Sequence, residues 1–77
     1  MSATERAREL LADALGLDLE DVSDAATMES VSVWDSLQHL SVITAIEAEL
    51  AVTLTPEEVP AINSVSAIAH LIDGNRE

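Results

Sequence analysis

The chain has no cysteine, no tyrosine and no phenylalanine, with one tryptophan, two glycines, two prolines and three basic residues among 77. Without cysteine, neither a disulfide nor a thiolate metal site can staple the fold, and the redox compartment stays open. The two histidines, His39 and His70, lie far apart in sequence, so a His-rich metal site is not expected. Fifteen acids against three bases leave a formal net charge of −12. Such a surface repels nucleic-acid phosphates and anionic membranes alike, and it points to basic partners. No apolar run approaches the roughly 20 residues of a membrane span. Met1-Ser2-Ala3-Thr4-Glu5 has no basic region leading into an apolar stretch, so no secretory leader is expected, and the cytoplasm is the expected location.

What is present is aliphatic. Leu, Ile and Val make up 22 of 77 residues, above the roughly 20 % below which a highly charged chain stays disordered. A chain this short buries only about 60 % of its unfolded surface, so the core is thin. The expectation is a single all-α domain over residues 1–77: a small four-helix bundle, with three main helices, one short helix and a long ordered loop between the first two.

Ser2 and Glu5 fit a capping box, and Ala3, Ala7, Leu10, Leu11, Ala14 and Leu15 recur at three- and four-residue steps. Gly16 stands where a left-handed terminator belongs, with Leu17 folding back beside it, so the first helix covers about residues 3–15. From Gly16 to Asp35 neither a helical nor a strand period is sustained. The spacing predicts an ordered loop with a short turn near Glu20–Val22, pinned to the core by Leu17, Val22 and Met28.

Asp35 is then an N-cap for the best helix in the chain, with Leu37, Leu40, Ile43, Ile46 and Leu50 recurring along it. Thr55-Pro56-Glu57-Glu58 places a capping hydroxyl before a proline and two acids, and Pro60 limits that short helix to about one turn. Ser64 caps a last helix carrying Val65, Ile68, Ala69 and Ile72, closed at Gly74.

Val33-Trp34-Asp35-Ser36-Leu37 puts a serine in the first turn of the longest helix, directly after its capping acid. A hydroxyl there is exposed, and the unpaired N–H groups and positive dipole end of the helix favour a phosphate attached to it. Serine is also an ordinary helix-start residue, and the position alone does not separate the two readings.

Asp35-Ser36-Leu37 at the start of the second helix, in an acidic chain of this length, resembles the acyl carrier proteins of fatty-acid, polyketide and related biosynthesis. The likeness extends over nearly the whole chain. Leu10-Leu11 and Leu15-Gly16-Leu17 resemble the family's first helix and its end. Ala45-Ile46-Glu47-Ala48-Glu49-Leu50 is similar to the end of its second helix. Leu54-Thr55-Pro56-Glu57-Glu58 and Ile62-Asn63-Ser64-Val65 are similar to the approaches to its third and fourth.

The resemblance implies that Ser36 carries 4′-phosphopantetheine through a phosphodiester and that acyl cargo rides as a thioester on the arm's thiol. It implies a carrier without catalysis of its own, loaded from coenzyme A by a phosphopantetheinyl transferase and served by acyl-loading and acyl-using enzymes with basic docking patches. A monomer is expected. Asp35, Leu37 and Glu47 match the family's docking pattern. Gln38, Ser41 and Ala48 stand where the common fatty-acid type is acidic, which implies weaker recognition by general fatty-acid partners.

Trp34 replaces a small residue, and Trp-Asp-Ser-Leu is similar to free-standing carriers of specialised pathways. The ring either closes the loop over the helix terminus or contacts the arm or a partner. Ile46, Leu50, Leu54, Val59 and Ile62 resemble the positions lining the family's acyl cavity, and plain core is the alternative for each. A peptidyl or aminoacyl carrier with the same arm differs only in cargo.

Other readings compete with less support. Asp35, Ser36 and His39 could form a nucleophilic set, but a helical chain of this size supplies no convincing oxyanion hole or cleft, and both histidines are expected to face solvent. Asp18, Glu20, Asp24 and Glu29 fall on calcium-loop spacing, yet Val22 and Ser23 occupy the positions that require an oxygen ligand and a glycine. No metal site is expected, beyond loose divalent ions screening crowded carboxylates. An acidic helical interaction module without a prosthetic group remains compatible with the charge.

Overall fold

The computed structural model describes residues 2–74. Three α-helices, α1 (Ala3–Leu15), α2 (Ser36–Leu50) and α3 (Val65–Gly74), with one 3₁₀ turn at Leu19–Asp21, make the architecture, and α1 packs against both of the others. Each boundary has a local cause. Ser2 Oγ accepts from the Glu5 amide at 3.1 Å to start α1. Gly16, at φ 70°, ends it, and the Leu17 amide reaches back to the Ala12 carbonyl at 2.8 Å. Ser64 Oγ accepts from the Ala67 amide at 3.0 Å to start α3.

The core is aliphatic around one indole. Leu11, Val42, Ile46, Val65 and Ile68 have no exposed surface, and Trp34 lies among them at 2 % exposure. Burying each of the larger aliphatic side chains is worth about 1.5–3 kcal/mol. At the rim, Arg6 of α1 pairs with Glu49 of α2.

The loop between α1 and α2 is ordered, as expected. Val22 and Ala26 are fully packed, and Leu17 and Met28 lie against the core. The Met28 amide donates to the Asn63 carbonyl at 2.8 Å and the Val65 amide to the Ala26 carbonyl at 3.0 Å, which ties the loop to the start of α3. From the other side, Arg8 of α1 donates to the carbonyls of Val22 and Leu19.

The expected short helix after Thr55 is instead a capped turn, so the described residues hold three helices where four were expected. The cap itself forms: Thr55 N–H donates to Glu58 Oε1 at 2.9 Å and Glu58 N–H to Thr55 Oγ1 at 3.3 Å. Val59 N–H reaches Thr55 O at 3.2 Å, but the next bonds, Ala61 to Glu58 and Ile62 to Val59, are of the tighter i→i+3 kind. Pro60 is the cause, because it contributes no N–H and disfavours helical backbone at Val59.

Candidate functional site

Asp35 caps α2 from extended backbone, and its carboxylate accepts from the Gln38 amide at 2.9 Å. With that amide taken and the His39 amide bonded to the Asp35 carbonyl, the N–H groups of Ser36 and Leu37 are left at the open end of the helix. Ser36 is the first helical residue. Its side chain is exposed, and among the described residues no protein group hydrogen-bonds its hydroxyl. Next to it Leu37 is 73 % exposed and Leu40 62 %.

Behind the serine lies a buried hydrogen-bonded chain. Trp34 Nε1–H donates to His39 Nδ1 at 2.9 Å, and His39 Nε2 meets the Val59 carbonyl at 2.8 Å. Because an indole nitrogen only donates, Nδ1 accepts and the imidazole proton sits on Nε2, pointing at Val59. His39 is therefore buried, contrary to the expectation that it faces solvent. The cause is that both ring nitrogens find partners inside the fold, so burial leaves neither unpaired. The same bonds remove His39 as a base toward Ser36, and with it the nucleophilic set. His70 is exposed, as expected. For Trp34 the structural reading holds: the ring closes the loop over the start of α2.

The remaining expected residues divide. Asp35 and Leu37 are exposed beside Ser36. Glu47 lies on the same helix, half-buried, and its carboxylate accepts from the Leu54 amide. Ile46, Leu54 and Ile62 are core residues, with Leu50 and Val59 packed against them. Of these five only Ile62 also lines the largely apolar groove of about 470 Å³ between the Glu58–Ile62 turn and α3, whose other walls include Ala61, Ala67 and His70. A second, shallower depression runs along the outer face of α2 between Leu40, Thr44 and Ala48.

Sequence reasoning missed two features, the burial of His39 and the exposure of Leu40. A signal existed for the first. Trp34 and His39 occupy the positions just before the cap and four into the helix, which pack together in a hydrophobic staple. For the second the signal was weak, because α2 carries apolar residues on nearly every face.

Among the described residues no helix is long and apolar enough to cross a membrane, and no three His, Asp or Glu side chains converge to hold a metal ion. An exposed, unpartnered serine hydroxyl at a capped helix start fits a phosphate-linked group, since nothing in the fold must move to admit it.

Comparison with known proteins agrees. The family described as "Phosphopantetheine attachment site" matches residues 5–72. A polyketide-8 synthase acyl carrier protein 2 from Streptomyces avermitilis is 39 % identical over 69 residues, covering 88 % of this chain and 78 % of its own length. The prosthetic group of such a chain is a covalently bound 4′-phosphopantetheine. With a matching family segment that reaches from α1 into α3, the chain belongs to the acyl carrier protein family.

Proposed function

We propose that residues 1–77 work as one carrier domain in which Ser36 holds the 4′-phosphopantetheine arm and presents acyl cargo to partner enzymes. The observation that carries this is the exposed Ser36 hydroxyl, without a partner among the described residues, in the first turn of a helix capped by Asp35. The arm, when attached, supplies a thiol that holds cargo as a thioester. The chain's own part is presentation. The amides of Ser36 and Leu37 and the positive end of the α2 dipole lie where a phosphodiester on Oγ would hang. The Asp35 cap keeps that end of the helix from fraying.

No residue of this chain makes or breaks bonds in the cargo. His39, the only titratable side chain between Asp35 and Glu47, is committed to Trp34 and Val59. The identity of the Streptomyces avermitilis relative favours polyketide-type assembly over general fatty-acid synthesis. The uncharged stretch from Ser36 to Ile46 points the same way, because the charges that general fatty-acid partners would meet are absent. The proposed partners are a phosphopantetheinyl transferase and acyl-loading and acyl-using enzymes whose basic patches meet a body of net charge −12. The working form is taken as a cytoplasmic monomer.

Incubation with coenzyme A and a broad-specificity transferase, followed by intact mass, tests the assignment. Wild type is expected to gain one arm and Ser36→Ala none. A wild type that stays bare, or a Ser36→Ala chain that is still loaded, overturns it.

A further inference from the structure

The carrier role gives no task to the one buried titratable side chain near the attachment site, His39. It occupies an unusual junction. Through Nδ1 it holds the indole of Trp34, the residue before the cap, with ring centroids 5.9 Å apart. Through Nε2 it holds the Val59 carbonyl, in the capped turn twenty residues on. Its own backbone amide donates to the Asp35 carbonyl in the first turn of α2. Three segments thus converge on one residue: the end of the long loop and the Thr55–Ile62 turn through the imidazole, and the first turn of the helix through the backbone.

The contact between the residue before an N-cap and the fourth helical residue fixes the angle at which the chain enters the helix. In most helices that contact is apolar and slides. Here it carries a directional hydrogen bond inside the core, and the bond has a single compatible pattern, because an indole nitrogen can only donate. The angle at Asp35 in turn sets where the Cα–Cβ bond of Ser36, the next residue, points. The second bond anchors the imidazole, since the Val59 carbonyl stops the ring from rotating away from Trp34.

We infer that His39 is the positioning residue of the attachment site: by bridging Trp34 and Val59 it fixes the direction in which the Ser36 hydroxyl is offered to the enzyme that modifies it. This rests on the assignment of the arm to Ser36. His39 touches neither the hydroxyl nor the arm, and acts through the backbone of Trp34 and Asp35. Its removal leaves the exposed side chains of Leu37 and Leu40 beside Ser36 in place, so the loss is expected in the transfer step and not in recognition.

The experiment compares wild type, His39→Leu, His39→Gln and Trp34→Phe as unmodified full chains, with coenzyme A and one broad-specificity transferase. His39→Leu fills the space without either hydrogen bond. Its kcat for arm transfer is expected to fall about tenfold at nearly constant KM, the scale of a small misplacement of a reacting atom. The emission of the single tryptophan is expected to shift to the blue, because the buried indole N–H loses its acceptor to an apolar side chain. Glutamine can accept from the indole through its carbonyl and donate to Val59 through its amide, so His39→Gln is expected to recover most of both signals. Trp34→Phe keeps the ring bulk and lacks the N–H, and should slow transfer in the same direction.

Equal kcat for wild type and a folded His39→Leu overturns the proposal. So does a His39→Gln chain as slow as His39→Leu, because the bulk of the side chain and not its bonding would then matter. If His39→Leu does not fold, Trp34→Phe decides, and transfer at the wild-type rate overturns the inference. A wild type that is not loaded at all removes the attachment reading and the positioning role with it, whereas a loaded wild type with indifferent variants removes only the role of His39.

Discussion

The Glu47 carboxylate accepts a hydrogen bond from the backbone N–H of Leu54 at 2.9 Å, spanning the turn that ends α2. The backbone carbonyl of the same residue receives the amides of Ala51 and Val52. Glu47 thus satisfies three N–H groups where the chain leaves the helix, and it holds Leu54 with its side chain turned into the core. Removing the acceptor leaves a partly buried amide unpaired, which costs about 1–3 kcal/mol. Glu47→Ala is therefore expected to lower the unfolding midpoint by several degrees, at roughly 4–8 °C per kcal/mol for a domain of this size. Glu47→Gln retains an acceptor oxygen and should lose much less. Thermal unfolding followed by circular dichroism decides it, and equal midpoints for the two variants would show that the carboxylate braces nothing.

Beside that brace sits a strained residue. Ala51 ends α2 at φ 54°, ψ 46°, the left-handed region in which a Cβ crowds the following carbonyl. At the equivalent place in α1 the chain has Gly16. Glycine at position 51 relieves the crowding, at the cost of a more flexible unfolded chain. The net expectation for Ala51→Gly is a gain of about 0.5–1 kcal/mol, since the left-handed penalty exceeds the entropy term. Ala51→Val should destabilise, because a β-branched side chain tolerates this region least. Chemical denaturation of both variants measures the pair, and a glycine variant less stable than wild type would contradict the strain.

Where a local signal governed, the sequence was informative. Ser2, Gly16, Asp35 and Ser64 mark helix ends through bonds to amides or carbonyls only a few residues away, and the boundaries they imply are those observed. The exposure of Ser36 was legible for the same reason, since it follows from standing directly after a cap. The failures are tertiary. Thr55-Pro56-Glu57-Glu58 carries a good helix start, and the cap forms, but Pro60 comes too soon for a helix to follow it. His39 looks like a polar residue on an outer face until Trp34 and Val59 are brought to its two nitrogens, and Val59 lies twenty residues away. α2 is apolar nearly all round, so its spacing could not say that Val42 and Ile46 turn inward while Leu37 and Leu40 turn outward.

That outward pair supports a separable test of docking. Leu37 and Leu40 are three residues apart, neighbours on the helix surface and next to Ser36. At 62 % exposure Leu40 contributes little to the core, so Leu40→Ala is expected to unfold within about 0.5 kcal/mol of wild type. An enzyme that reaches the Ser36 hydroxyl must cover the surface beside it, and burying a leucine side chain is worth about 1.5–3 kcal/mol. Losing most of that contact should raise the KM of a phosphopantetheinyl transferase for this chain about tenfold, with kcat nearly unchanged. This is the opposite division from the one expected at His39, where kcat falls and KM holds. Steady-state kinetics on the folded Leu40→Ala chain distinguishes the two, and a wild-type KM would place the docking contact on another face of the molecule.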